Sequence, residues 1–202
     1  MSEPLRLVAF RPSIYCWSVR LAMAELDLTF DWVETNPFNG VVADHPFNRV
    51  PVLWVSDRRI YETGAILDWL YPPLADPLAR AEARQAAGIA DAYAYWPMVR
   101  QVYAKGVLAA EDADAVDNGM AAAVPVLAAL EEIAEGGRVL NQVTGGLTAV
   151  DCHIAPMIGA FAAFDAGRTH LHRHAALREW YESVTQRPNW AATCPDPRIL
   201  SP

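Results

Sequence analysis

The sequence predicts a small α/β domain followed by an all-helical domain, and three observations carry that expectation. Over roughly the first 70 residues the chain changes texture about every ten positions, as short strands alternating with helices do. After Leu74-Ala75-Asp76-Pro77 it turns alanine-rich, with helical spacing up to Arg187 and no strand-like alternation. The chain has 202 residues, 53% of them apolar, which is ample for a substantial core.

Leu5 to Phe10 reads as a strand ending at the turn signal Arg11-Pro12-Ser13. In Tyr15 to Leu26, apolar Tyr15, Val19, Ala22, Met23 and Leu26 share one helix face. Thr29 to Glu34 is a second strand, rich in β-branched and aromatic residues. Thr35 to Val50, with Pro37, Asn39-Gly40 and His45-Pro46, is mostly loop with room for one short helix. Pro51 to Val55 and Arg58 to Tyr61 are two strands around a tight turn at Ser56-Asp57. Gly64 to Leu70 is a short helix closed by Tyr71-Pro72-Pro73. Three or four long helical segments follow, and the proline-containing stretch from Pro188 to Pro202 is expected to be an irregular tail.

Sixteen basic residues against 24 acidic ones give a net charge of −8. That leaves no excess of positive charge for a phosphate backbone or an anionic lipid surface, so neither nucleic acid nor membrane is expected as a partner. No run reaches the roughly 18 uninterrupted apolar residues of a span, and MSEPLRLVAF lacks a basic region leading into an apolar stretch. A cytoplasmic location is the expectation. Cys16, Cys152 and Cys194 are widely spaced with no C-x-x-C pair, which argues against a disulfide framework or a structural zinc site and fits a reducing compartment. The tract His170-Leu171-His172-Arg173-His174 lies near an expected turn and is read as solvated loop, so no metal is expected.

Three stretches bear on chemistry. Ser13-Ile14-Tyr15-Cys16-Trp17-Ser18-Val19-Arg20 follows the first strand. Val50-Pro51-Val52-Leu53 precedes the hairpin, and Glu62-Thr63 precedes a helix whose start offers free N–H groups and the positive end of its dipole. A further signal, Thr148-Ala149-Val150-Asp151, is a capping box, flanked by Leu147 and Cys152 in hydrophobic-staple positions; its role is folding.

In order and spacing these stretches resemble the signatures of the cytosolic glutathione transferases, with a Ser/Cys-type active-site motif. The resemblance spans nearly the whole chain. It implies a thioredoxin-like glutathione-binding domain over 1–73, an all-helical domain over 78–188 carrying the electrophile site, and a tail over 189–202. It implies that Val50-Pro51 is cis, with the Val50 main chain turned outward to pair with the cysteinyl backbone of glutathione; a trans proline at a strand start is the alternative. Thr63 would bind the γ-glutamyl carboxylate and Glu62 the amino group, with Arg49 beside them, against an ordinary helix cap as the alternative. Ser13 would stabilise the glutathione thiolate. Cys16, in the same first turn, is the rival reactive group. Here Ile14 stands where the motif usually has proline, and Ser18 where a basic residue is common.

Tyr93, Trp96 and Tyr103, on the first long helix, would line the electrophile pocket or pack in the core. The resemblance thus implies conjugation of glutathione, as co-substrate, to a small hydrophobic electrophile in detoxification by a homodimer. Glutathione-dependent isomerisation or dehalogenation, and a non-catalytic glutathione-binding scaffold, are the alternatives.

Overall fold

The computed structural model describes residues 4–200, apart from 110, 142 and 144. Four strands, β1 (Leu5–Ala9), β2 (Asp31–Glu34), β3 (Val52–Val55) and β4 (Arg58–Tyr61), form one sheet in the order β2-β1-β3-β4. β1 runs parallel to β2 and antiparallel to β3, and β3 pairs antiparallel with β4. Helices α1 (Ile14–Glu25) and α2 (Thr63–Leu70) accompany this sheet in a thioredoxin-like arrangement. The loop from 35 to 50 contains no helix among its described residues. Instead Asn48, at φ 56°, ties it together, its side-chain amide donating to the carbonyls of Pro37 and Gly40.

The helical part contains α3 (Pro77–Ile89), which continues without a break into α4 (Ala90–Ala109), wound as a π-helix. Then come α5 (Ala113–Glu135), α6 (Ala149–Ala162), α7 (Asp165–Leu171), α8 (Ala175–Thr185), α9 (Pro188–Thr193) and α10 (Pro197–Leu200). The stretch expected to be an irregular tail therefore holds two short helices. Pro188 and Pro197 open them, because proline's fixed φ suits a first helical position and its missing N–H costs nothing there. Both helices are anchored by the buried side chains of Trp190 and Ile199. By length and composition α5 could cross a membrane, but its buried residues, among them Leu127 and Leu130, belong to the main core shared with α4, α6 and α8.

α1 is apolar on both sides because it lies between two cores. Cys16, Val19 and Met23 pack with Leu7 and Leu53 of the sheet, while Ile14, Trp17, Leu21 and Ala22 pack with the helical part. Further ties run from α1 to the C-terminal segment. The Trp17 indole N–H donates to Thr193 Oγ1 at 2.9 Å, its ring lies 4.3 Å from that of Trp190, and Arg187 pairs with the buried carboxylate of Glu25 at 2.7 Å. α6, buried on all sides, starts at the capping box: Thr148 N–H donates to Asp151 Oδ2 at 2.8 Å, and Asp151 N–H to Thr148 Oγ1. The Trp180 indole occupies the other carboxylate oxygen at 2.8 Å, so this buried aspartate is fully engaged and structural.

Candidate active site

A cleft of about 810 Å³ opens between the sheet part and the outer face of α4. Its floor is built by three local features. Ser13 caps α1 with its Oγ accepting from the Cys16 N–H at 3.3 Å, and the residue lines the cleft. Val50 follows the long loop and is joined to Pro51 by a cis peptide bond. Among the described residues, no protein group pairs with the main-chain N–H or C=O of Val50, which lines the cleft.

The third feature is the start of α2. Thr63 was expected to cap a helix beginning at Gly64; instead the helix begins at Thr63, and the capping position falls to Glu62, which makes no side-chain cap bond. The N–H groups of Thr63, Gly64 and Ala65 are therefore not used within the helix, and all three residues line the cleft. Glu62 adopts φ 70°, a left-handed conformation costly for a residue with a side chain and typical of functional positions. Its carboxylate lies 3.5 Å from His45 Nε2. The Phe47 N–H donates to His45 Nδ1 at 3.0 Å, so the neutral ring carries its proton on Nε2, facing Glu62. Burial lowers the His45 pKa further, against the pull of Glu62, and keeps the ring neutral.

Of the residues singled out from sequence, Ser13, Arg49, Val50, Pro51, Glu62, Thr63, Trp96 and Tyr103 line this one cleft. Cys16 and Tyr93 do not. Cys16 is fully buried against the sheet, and burial pushes its thiol up to about 11 despite the opposing Ser13 hydroxyl and Phe10 amide. Tyr93 is 66% exposed and lies outside the cleft lining. Along the π-wound α4, the lining residues recur every four positions, as Tyr95, Val99, Tyr103 and as Trp96, Arg100, Ala104, and Tyr93 belongs to neither series. Tyr103 contributes its ring, since its hydroxyl donates to Asp196 Oδ2 at 2.6 Å and fastens α4 to the segment before α10.

Sequence reasoning missed several groups. His45 had registered only as part of a turn signal. Asp91 and Arg100 carry no local motif, and His153 is an apolar-helix residue until the fold sets it 2.8 Å from Asp91. Among the described residues, no group of three or more His, Cys, Asp or Glu side chains is arranged to hold a metal ion.

Residues 12–71 match the family model described as "Glutathione S-transferase, N-terminal domain". No curated protein sequence is significantly similar to the chain. Among solved structures, a glutathione S-transferase from Rhodospirillum rubrum F11 is 25% identical, with a TM-score of 0.73 over 94% of this chain and 91% of that one. Rice GST1 in complex with glutathione is 23% identical, with a TM-score of 0.73 over 99% of this chain and 94% of that one. A glutathione S-transferase from Methylobacillus flagellatus with bound glutathione is 18% identical, with a TM-score of 0.71 over 95% of this chain and all (100%) of that one. Residues 12–71 thus match the N-terminal domain of the glutathione S-transferases, and the chain shares the fold of these solved structures over nearly its whole length.

Proposed function

We propose that the protein conjugates glutathione to a small hydrophobic electrophile, with glutathione held by the domain over 1–73 and the electrophile held against the helical domain over 78–188. The observation that carries this reading is the convergence of three polar features on one cleft: the Ser13 hydroxyl, the Val50 main chain and the first N–H groups of α2. The Val50 main chain would pair with the cysteinyl backbone. The start of α2 would take the γ-glutamyl carboxylate, Glu62 the amino group, and Arg49 the remaining carboxylate. These positions bring the thiol to Ser13 at the N-terminus of α1.

The thiol must lose its proton to attack. Each unit of pKa depression requires about 1.4 kcal/mol of preferential thiolate stabilisation. A hydrogen bond to a charged acceptor supplies about 1.5–3 kcal/mol and a helix N-terminus up to about 2 kcal/mol. A neutral hydroxyl at this helix start is therefore sufficient for a depression of about two units. Ser13 is the thiolate stabiliser in this reading, and Cys16, sealed in the core with its thiol raised, serves packing. A homodimer is part of the proposal, because Phe47, Trp69 and Leu78 leave large apolar surfaces exposed that a second copy would cover. Three free cysteines suit a cytoplasmic, reducing setting, and a detoxifying role follows from the reaction class.

Calorimetric titration with glutathione, followed by turnover of 1-chloro-2,4-dinitrobenzene, tests the proposal. Binding with turnover above the uncatalysed rate supports it. Binding without turnover on any generic electrophile favours a scaffold, and turnover confined to isomerisable or halogenated aliphatic substrates favours the related reactions.

A further inference from the structure

The charges lining the cleft are unevenly matched. Asp68 pairs with Arg84 at 3.1 Å, while the carboxylates of Asp91 and Glu62 face the His153 and His45 rings at 2.8 Å and 3.5 Å. Among the described residues, Arg49 and Arg100 line the same cleft with no acidic partner within 4.0 Å. Arg49 is exposed and Arg100 half-buried. Arg49 precedes Val50 and belongs to the glutathione half of the cleft. Arg100 lies across from it on α4, in line with Trp96 and Ala104.

The surroundings of Arg100 are aromatic. Its guanidinium lies 5.6 Å from the centroid of the Phe38 ring and close to the Tyr95 hydroxyl, and Trp96 lies one turn before it. Phe38 and Trp96, 67% and 63% exposed, both line the cleft. A guanidinium presents a planar fork of donors that matches a carboxylate or sulfonate in two parallel hydrogen bonds. Aromatic rings lining a cleft accept a planar apolar body.

We propose that the electrophile taken by this site is a planar aromatic anion, its carboxylate or sulfonate held by Arg100 and its ring lodged against Phe38 and Trp96. Naming a substrate class in this way rests on the proposed transferase function; the anion preference of the subsite does not.

The probe is a matched pair, 4-chloro-3,5-dinitrobenzoate and its neutral methyl ester. With either, the glutathione sulfur forms a bond to the ring carbon, the carbon–chlorine pair leaves as chloride, and the thiol proton passes to solvent. Each rate is divided by its uncatalysed rate with glutathione. The wild type is expected to favour the carboxylate in kcat/KM. Arg100→Gln should reduce the acid-to-ester ratio about tenfold or more, mainly through KM of the acid, and Arg100→Lys should restore part of it. An unchanged ratio in Arg100→Gln overturns the proposal, as does a rise in the KM for glutathione with the ratio unmoved, which would assign Arg100 to the other half of the cleft.

Calorimetry with unreactive 3,5-dinitrobenzoate and methyl 3,5-dinitrobenzoate reads the subsite without turnover. Preferential binding of the acid to the wild type, lost in Arg100→Gln, supports the anion site even if glutathione is not turned over, an outcome that overturns the transferase reading alone. Equal binding of acid and ester overturns the anion site.

Discussion

The Tyr15 hydroxyl donates to Asp91 Oδ1 at 3.0 Å, tying the start of α1 to α4 across the cleft. His153 Nε2 donates to the same oxygen from α6 at 2.8 Å, and the Tyr15 ring stacks on Tyr95 with centroids 4.6 Å apart. Burial first, and the adjacent Asp91 second, raise the Tyr15 phenol far above its ordinary value. Its proton is committed to Asp91 at every working pH. Of the two hydroxyls at this end of α1, only that of Ser13 is left to serve a bound thiolate. Tyr15→Phe should therefore leave the pH midpoint of conjugation in place while lowering stability by about 1–2 kcal/mol in urea unfolding. A midpoint that moves upward would make Tyr15 a thiolate donor instead.

Cys16 lies three residues beyond Ser13 and has a different environment. Its thiol is held near 11 by burial, and the side chain is fully buried outside the cleft lining. At neutral pH only about one thiol in ten thousand would be ionised, so incubation with oxidised glutathione should give no adduct at Cys16 by peptide mass spectrometry. Cys16→Ala should cost about 1–2 kcal/mol of stability through the cavity it leaves. A mixed disulfide at Cys16 would contradict this.

The start of α2 should behave as a recognition element. Thr63→Ala and Glu62→Ala are each expected to weaken glutathione binding by about 1.5–3 kcal/mol, roughly 10- to 150-fold in Kd, with an unchanged circular dichroism spectrum. Unaltered calorimetric affinity in both variants would reduce this helix start to a simple cap.

How much of this was legible beforehand varied with how local the signal was. The strands, α1, α2 and the capping box at Thr148 and Asp151 could be read directly, because each is set by spacing or by a cap within a few residues. The groups around Asp91 could not. Tyr15, Asp91 and His153 meet from three elements, 76 and 62 positions apart, and nothing in any one segment marks the meeting. Tyr93 falls outside the cleft because the resemblance names the helix and not the register of its side chains. Proline in the last stretch signals a break in regular structure, whereas Pro188 and Pro197 start helices whose Trp190 and Ile199 complete the core. Arg100 was invisible for another reason: its interest lies in what it lacks, an acidic partner, and that is a property of the assembled cleft.

Gly119 fixes how closely α5 approaches the wall that carries the electrophile side of the cleft. A Cβ built there would lie 2.8 Å from both the Pro97 carbonyl oxygen and Gln101 Cβ. Since backbone cannot yield as a side-chain tip can, Gly119→Ala should push α4 and α5 apart and cost about 1–3 kcal/mol, lowering Tm by roughly 2–4 °C per kcal/mol. A thermal melt unchanged from wild type would mean that the two helices are less tightly coupled than their separation implies.

The central claim is that the Ser13 hydroxyl stabilises a glutathione thiolate, and the most direct measurement is the pKa of the bound thiol, followed by thiolate absorbance in the ultraviolet as pH is raised. In the wild type the bound thiol should ionise well below its value in free glutathione. In Ser13→Ala, loss of one hydrogen bond to a charged acceptor, about 1.5–3 kcal/mol, should raise the midpoint by roughly one to two units, with activity lost at neutral pH and recovered at alkaline pH. If glutathione binds and its thiol ionises at the same pH in the wild type and in Ser13→Ala, the hydroxyl does not hold the thiolate and the account fails.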